Sequence, residues 1–406
     1  MPIRNGNIGF IRARVLAPLP AGWDERTRVL EAHQFTPIDP EGTEETSVGW
    51  SVLPEGGRLQ GDLAGITAFT VQVETLKPSP AQVRSVLTKR RRELEAERQT
   101  PLSASATRDL KDLIKRDLRK RVFPRTQLVD LLLTEDDDLP LLVCGGNRKL
   151  LQTIQLLWKY TFGTDVDQET AGSLARRLIG DEELRRLAPE VALMGDPTLR
   201  EPEDGAPVED EGEGVAGEDP LEAEQEADED SDEDDDPTDV LTDHRFLGRE
   251  FLTWLACVSS AEDGFRTEDG WQFVIGDHAR LTAFGSSGMR EVQARSGNLA
   301  DMSDLRFAVG GGLLPRELAL VAERNERLWT FVLLADGLSF RQVKLPTSLA
   351  TETGEVTDER ARNLLDLDEA VLSTYRHFLM RRVDPDAWAG EVANIMAWVR
   401  DAVRHA

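Results

Sequence analysis

Histidine and cysteine are scarce in this chain, five and two in 406 residues, and neither type is grouped. His33, His244, His278, His377 and His405 are scattered, with no HExxH and no pair at metal-ligand spacing, so the common zinc-hydrolase arrangements are missing. Cys144 and Cys257 sit in apolar runs (LLVCGG and TWLACVSS) without a CxxC pattern. Such cysteines suit small buried side chains in a reducing compartment, and no disulfide is expected. The glycine run at residues 310–312 lacks the Lys-Ser/Thr of a phosphate loop and reads as a bend or bulge. No apolar run approaches the roughly 18 residues of a membrane span. Residues 1–10 carry charge and glycine where a signal peptide needs an apolar stretch. The expectations are a non-enzyme without metal or cofactor, with no membrane partner, located in the cytoplasm. A metal-dependent nuclease built on a carboxylate cluster is the catalytic alternative.

What the chain has is charge, and the charge is sorted. Residues 201–239 hold 21 Asp or Glu and no Lys or Arg, so they supply −21 of the −27 net charge and leave −6 for the rest. With almost no apolar material, such a stretch cannot offset the entropy of ordering its backbone, and it is expected to be a disordered acidic insertion spanning 196–239. Residues 77–125 hold 15 Lys or Arg against six acids, a local +9. Binding to a polyanion depends on the local field rather than the whole-chain sum, so this arm keeps nucleic acid open as a ligand. The cations named as DNA contacts are Lys77, Arg84, Arg90, Arg91, Arg92, Arg98, Arg108, Lys111, Lys115, Arg119, Lys120, Arg121 and Arg125.

Periodicity gives an α+β chain. Strands are expected over 8–16, 68–73, 127–134, 139–144, 270–275, 313–322, 328–334 and 339–345, the last two joined by a hairpin turn at Ala335, Asp336 and Gly337. Phe69, Val71 and Val73 alternate, so that strand reads as half-buried. Helices are expected over 22–33, 147–162 with Asn147 as N-cap and Gly163 as stop, 168–179, 240–256, 358–382 and 386–404. In the arm, Ser79 and Pro80 launch one helix carrying Val83, Leu87 and Leu94. A second follows from about Thr107, with Leu110, Leu113, Ile114 and Leu118 as its apolar stripe and Lys111, Lys115 and Arg119 as a basic stripe. Residues 1–76 and 126–195 then form a central α+β region, 77–125 a helical arm, and 240–406 a distal α+β region.

Several segments, in order, resemble the RdgC family of recombination-associated proteins: Phe35, Thr36, Pro37 with Gly49, Trp50; KPSP at 77–80; DLKDLI at 109–114; RVFPR at 121–125; 141–163; and DGLSFRQVKL at 336–345. The resemblance covers most of the chain outside 196–239. It implies a horseshoe-like subunit with central, tip and base regions, two of which close as a homodimeric ring around duplex DNA. Such rings bind with little sequence preference and restrain RecA-type recombinases, which implies a nucleoid-associated protein that modulates RecA-dependent recombination. The arm is then the tip, and Phe123 matches the aromatic of the dimer contact, with Arg121 and Arg125 beside it. In the distal region the chain departs from the family pattern: near 293–296 it offers only Arg295, and a family Gly-Lys becomes Gly311, Gly312.

Each feature also has a plainer reading. The arm reads as a solvated hairpin whose Glu93, Glu95 and Glu97 neutralise their neighbours, or as an acidic-partner site in a chaperone-like scaffold. Phe123 reads equally as a core side chain. The acidic run reads as a linker, or as a DNA mimic competing for the arm. Trp271 and Trp329 read as core, or as stacking surfaces when exposed. Asp384 and Asp386 read as turn and cap residues.

Overall fold

The computed structural model describes residues 2–4, 6–42, 44–53, 57–63, 65–134, 139–193, 244–260, 264–283, 291–295, 303–348, 350 and 352–405; the expected acidic insertion at 196–239 lies outside them. Helices and antiparallel strands alternate irregularly, as an α+β chain requires. In order these are β1 (Ile8–Val15), α1 (Trp23–Ala32), β2 (Thr46–Ser51), β3 (Gln60–Leu63), β4 (Ile66–Thr75), α2 (Pro80–Arg98), α3 (Ala104–Arg119), β5 (Arg125–Leu133), β6 (Pro140–Cys144), α4 (Arg148–Phe162), β7 (Val166–Gln168), α5 (Ala171–Ile179) and α6 (Asp181–Arg186). After the undescribed stretch come α7 (Phe246–Ser259), β8 (Phe265–Arg266), β9 (Gln272–Ala283), β10 (Glu291–Arg295), α8 (Ser303–Gly310), β11 (Leu313–Arg324), β12 (Arg327–Leu334), β13 (Ser339–Lys344), α9 (Thr353–Val383) and α10 (Pro385–His405).

One sheet joins the two halves of the chain, in the order β10-β9-β11-β12-β13-β1-β6-β5-β4-β2, with β3 on β4, β7 on β1 and β8 on β9. The junction is β1, whose Phe10 opposes Phe340 of β13 on one side and Cys144 of β6 on the other. The Phe10 and Phe340 rings stack with centroids 4.1 Å apart.

Strand alternation sends successive side chains to opposite faces. On one face Ile8, Phe10, Ala68, Leu132 and Leu142 enter a core shared with α5, α7, α8, α9 and α10. On the other, Ile11, Ala13, Phe69, Val71, Leu131 and Val143 meet Leu30 of α1 and Leu151, Ile154 and Trp158 of α4. The expected half-burial of β4 therefore gives way to burial on both faces: Ala68 and Thr70 are as enclosed as Phe69 and Val71, because helices cover the sheet here on each side.

Local chemistry sets the element ends. Asn147 Oδ1 accepts from the Leu150 amide at 2.9 Å, and Gly163 closes α4 at φ 70°. Thr170 and Ser173 form a reciprocal capping box, so α5 begins at Ala171, and Gln168, expected in a helix, belongs to β7. Asp384 Oδ1 accepts from the amides of Asp386 and Ala387 and starts α10. Gly312, at φ 79°, turns the chain from α8 into β11. The residues that carry the FTP and GW resemblance have a structural task. The Phe35 amide donates to Trp50 O at 2.9 Å, and the backbone at Phe35 crosses so close to Gly49 that a Cβ there has no room.

Candidate nucleic-acid interface

The arm is an antiparallel helical hairpin rising between β4 and β5. Ser79 Oγ accepts from the Gln82 amide at 3.2 Å and Pro80 occupies the first turn, so α2 starts where the sequence predicts. The second helix begins earlier than expected, at Ala104 rather than near Thr107, because Ser103 Oγ caps the Ala106 amide at 3.2 Å. Gln99 at φ 56° ends α2, and Glu95 ties the distal turn by accepting from the Leu102 amide at 3.1 Å and from Arg91 Nε at 3.0 Å. Those contacts, the amide first, hold the Glu95 carboxyl below its usual range. Val83, Leu87 and Ile114 are buried in the seam with Leu110 and Leu118 beside them, whereas Leu113, expected in that stripe, is 52% exposed.

The seam decides where the cations point. On α2, Arg84, Arg91 and Arg98 recur at i, i+7 and i+14 along one flank of Val83, Leu87 and Leu94. On α3, Arg108, Lys111, Lys115 and Arg119 follow i, i+3, i+7 and i+11 along one flank of Leu110, Ile114 and Leu118. Both stripes are displaced from the shared seam in the same rotational sense. In an antiparallel pair this puts them on the same face. The opposite flank agrees, since Asp117 of α3 acts electrostatically on Arg90 of α2. Arg90 itself is held by Glu93 at 2.8 Å, which raises its pKa. Lys89 and Arg92 lie on the back of α2, and Arg116 on the back of α3.

One face thus brings together Arg84, Arg91, Arg98, Arg108, Lys111 and Lys115 against only Glu95 and Asp112. Arg98, Arg108 and Lys115 are exposed and have no carboxylate at ion-pair distance among the described residues. At the root of the hairpin three more of the expected cations have partners in the body of the protein. Lys77 pairs with Glu45 at 3.5 Å, Lys120 with Glu41 at 2.7 Å, and the buried Arg119 guanidinium donates to Glu44 O. Three expected DNA contacts thus touch residues of the segment 41–45, of which Arg119 is buried there and Lys77 and Lys120 form exposed pairs. The acid run containing Glu41, Glu44 and Glu45 is the signal that marks this clamp, but it lies far from the arm in sequence.

Phe123 is 91% exposed, so its reading as a core side chain is excluded. It sits at the root, in the turn 120–124, rather than at the distal turn 99–103, and Arg121 and Arg125 beside it are exposed. Arg295 ends β10 opposite His278, some way round the sheet from the hairpin, and its side chain lies outside the described residues. Trp271 and Trp329 are 1% and 2% exposed and pack on one another, which removes them as base-stacking surfaces.

Among the described residues no group of three or more His, Cys, Asp or Glu is placed to hold a metal ion, and no helix is long and apolar enough to cross a membrane. Both cysteines are free, and burial pushes the Cys257 thiol up to about 11. No protein-family model matches the chain, and no curated protein matches it.

Proposed function

We propose that this chain is a non-catalytic, largely sequence-independent DNA-binding protein that grips the phosphates of duplex DNA with one face of the α2–α3 hairpin. The observation that carries the reading is the placement of six cations on a single face with two acids among them. A phosphodiester strand crossing that face meets six cations and two acids, one of which, Glu95, holds Arg91, whereas the carboxylates that pair with Arg90, Lys77 and Lys120 lie elsewhere. With the RdgC resemblance, the proposal extends to a horseshoe-shaped subunit, a homodimeric ring around the duplex, association with the nucleoid and modulation of RecA-dependent recombination.

Binding of a labelled duplex across a salt series tests the first part. Six phosphate contacts predict that log K falls with log salt at a slope near −5. A flat salt response removes the proposal. Sedimentation of the protein alone tests the dimer.

The other flank favours a second reading, a protein-interaction scaffold, because Val86 and Leu113 are 37% and 52% exposed there. In that case replacing Arg90, Arg91 and Arg92 together by alanine abolishes capture of an acidic partner and leaves DNA behaviour untouched.

A further inference from the structure

The DNA reading leaves unused the face of α9 that looks onto the start of β12. Glu355, Asp358, Glu359, Asn363 and Asp366 recur at i, i+3, i+4, i+8 and i+11, so the helix repeat gathers them along one stripe. Arg327, the first residue of β12, stands across from that stripe, and between them lies a half-open cavity of about 550 Å³. Small-molecule sites occupy about 300 to 1,000 Å³, so the space is of ligand size.

One wall is fixed by its own contacts. Arg327 pairs with Glu359 at 2.7 Å, Ser348 Oγ donates to the same carboxylate, and the Arg327 guanidinium lies 5.8 Å from the Trp329 ring centroid. The other acids are not engaged. Arg362 stands four residues from Asp358 and four from Asp366, the spacing at which helix ion pairs form, yet it pairs with neither. Glu355, Asp358 and Asp366 have no cation at ion-pair distance among the described residues. Asp358 and Asp366 are half-buried, whereas Arg362 is exposed at the rim.

A stripe of acids is ordinarily a solvated helix face. Asn363 sets this one apart. It is only 2% exposed, its backbone oxygen accepts from Trp329 Nε1 at 3.1 Å, and its side-chain amide has no hydrogen-bond partner among the described residues. Buried amides are nearly always bonded, so an unbonded one lining a cavity between carboxylates is a point of attachment for something that enters.

The spacing selects the ligand. At a rise of about 1.5 Å per residue, Asp358 and Asp366 lie about 12 Å apart along the helix axis. No group of three or more His, Cys, Asp or Glu among the described residues is placed to hold a metal ion. A single ion therefore does not satisfy both ends, whereas a chain carrying ammonium groups in series meets each carboxylate in turn. We infer that this cavity binds a linear polyamine, with ammonium groups held by Asp358 and Asp366, Asn363 accepting from the stretch between them and Glu355 at the mouth. The inference does not depend on the DNA-binding reading.

Calorimetric titration of the full chain with spermidine tests it. The unaltered protein is expected to show a saturable phase that Asp358→Asn combined with Asp366→Asn weakens about tenfold. Arg362→Ala removes the rim cation and is expected to tighten binding severalfold, a gain that misfolding does not produce. Residues 201–239, with their 21 acids, take up polyamine in every variant alike, so the comparison isolates the cavity. An unchanged phase in the double variant overturns the inference. A lysine-rich peptide that fills the site when spermidine does not would overturn it by assigning the cavity to a protein segment. Magnesium that abolishes the phase at matched ionic strength would overturn it by reducing the effect to charge screening.

Discussion

A few single side chains carry disproportionate weight. Arg382 is one: its Nε donates to Glu250 at 2.7 Å, another of its nitrogens to Ala188 O at 2.6 Å, and its guanidinium lies 4.8 Å from the Trp388 ring centroid. Glu250 also accepts from the Glu190 amide at 2.7 Å, and Trp388 Nε1 donates to Glu190 at 2.9 Å. Burial raises the Glu250 carboxyl and the Arg382 charge opposes that rise, so removing the cation strands a carboxyl in the core. Arg382→Met is expected to destabilise the protein by about 3–5 kcal/mol, the cost of breaking a buried pair from one side, measured by urea unfolding. Gly248 is a second such position. A Cβ there would collide with Ala335 O at the β12–β13 turn and meet the Ala171 side chain at 3.0 Å. These residues sit far apart in sequence, which is why spacing alone does not reveal them.

At the scale of elements, the hairpin makes the sharpest forecasts. Lys115 points to the shared basic face and Arg116, its neighbour, to the back. Lys115→Glu is expected to weaken duplex binding about tenfold, and Arg116→Glu considerably less, measured with the labelled duplex at one salt concentration; equal losses would mean that the two stripes do not form one surface. Ser103→Ala removes the cap of α3 and should cost about 1 kcal/mol, seen as faster amide exchange in the first turn of that helix. Glu95 supplies a pH dependence. Its folded pKa lies below the ordinary carboxyl value of 4.5, so the support it gives the distal turn is full above that value and is lost as pH falls below it. Glu95→Gln should remove that acid-side loosening, measured by the exposure of the turn to proteolysis between neutral and acid pH. Much of this element is legible from sequence, because Ser79, Pro80 and the apolar heptad-like spacing are local signals. The early start of α3 was not, since Pro101 and the small residues after it mask the capping role of Ser103. Nor were the short strands β2, β3, β7, β8 and β10, whose pairing partners rather than their composition make them regular, nor the helix α8. The clamp of Lys77, Arg119 and Lys120 onto residues 41–45 depends on the same long-range information.

For the whole molecule, the central feature is that β1 belongs to both halves. Ile3, Ile8 and Phe10 are buried with side chains from α7, α9 and β13, and Arg12 of β1 pairs with Asp368 of α9. A fragment ending at residue 193 loses the β13 partner of β1 and the helices that cover one face of β4, β5 and β6. It is expected to lack the near-ultraviolet circular dichroism of packed tryptophans, and the intact chain to unfold in one transition rather than two. The arm hangs on this same sheet through β4 and β5, which pair without interruption from Thr67 opposite Leu133 to Thr75 opposite Arg125. Tension on the arm therefore runs lengthwise down two interior strands, gripped on their outer sides by β2 and β6. Their cross-links to those neighbours lie across the direction of pull and share the load together, as rivets do in a lap joint, so the handle resists being torn from its body.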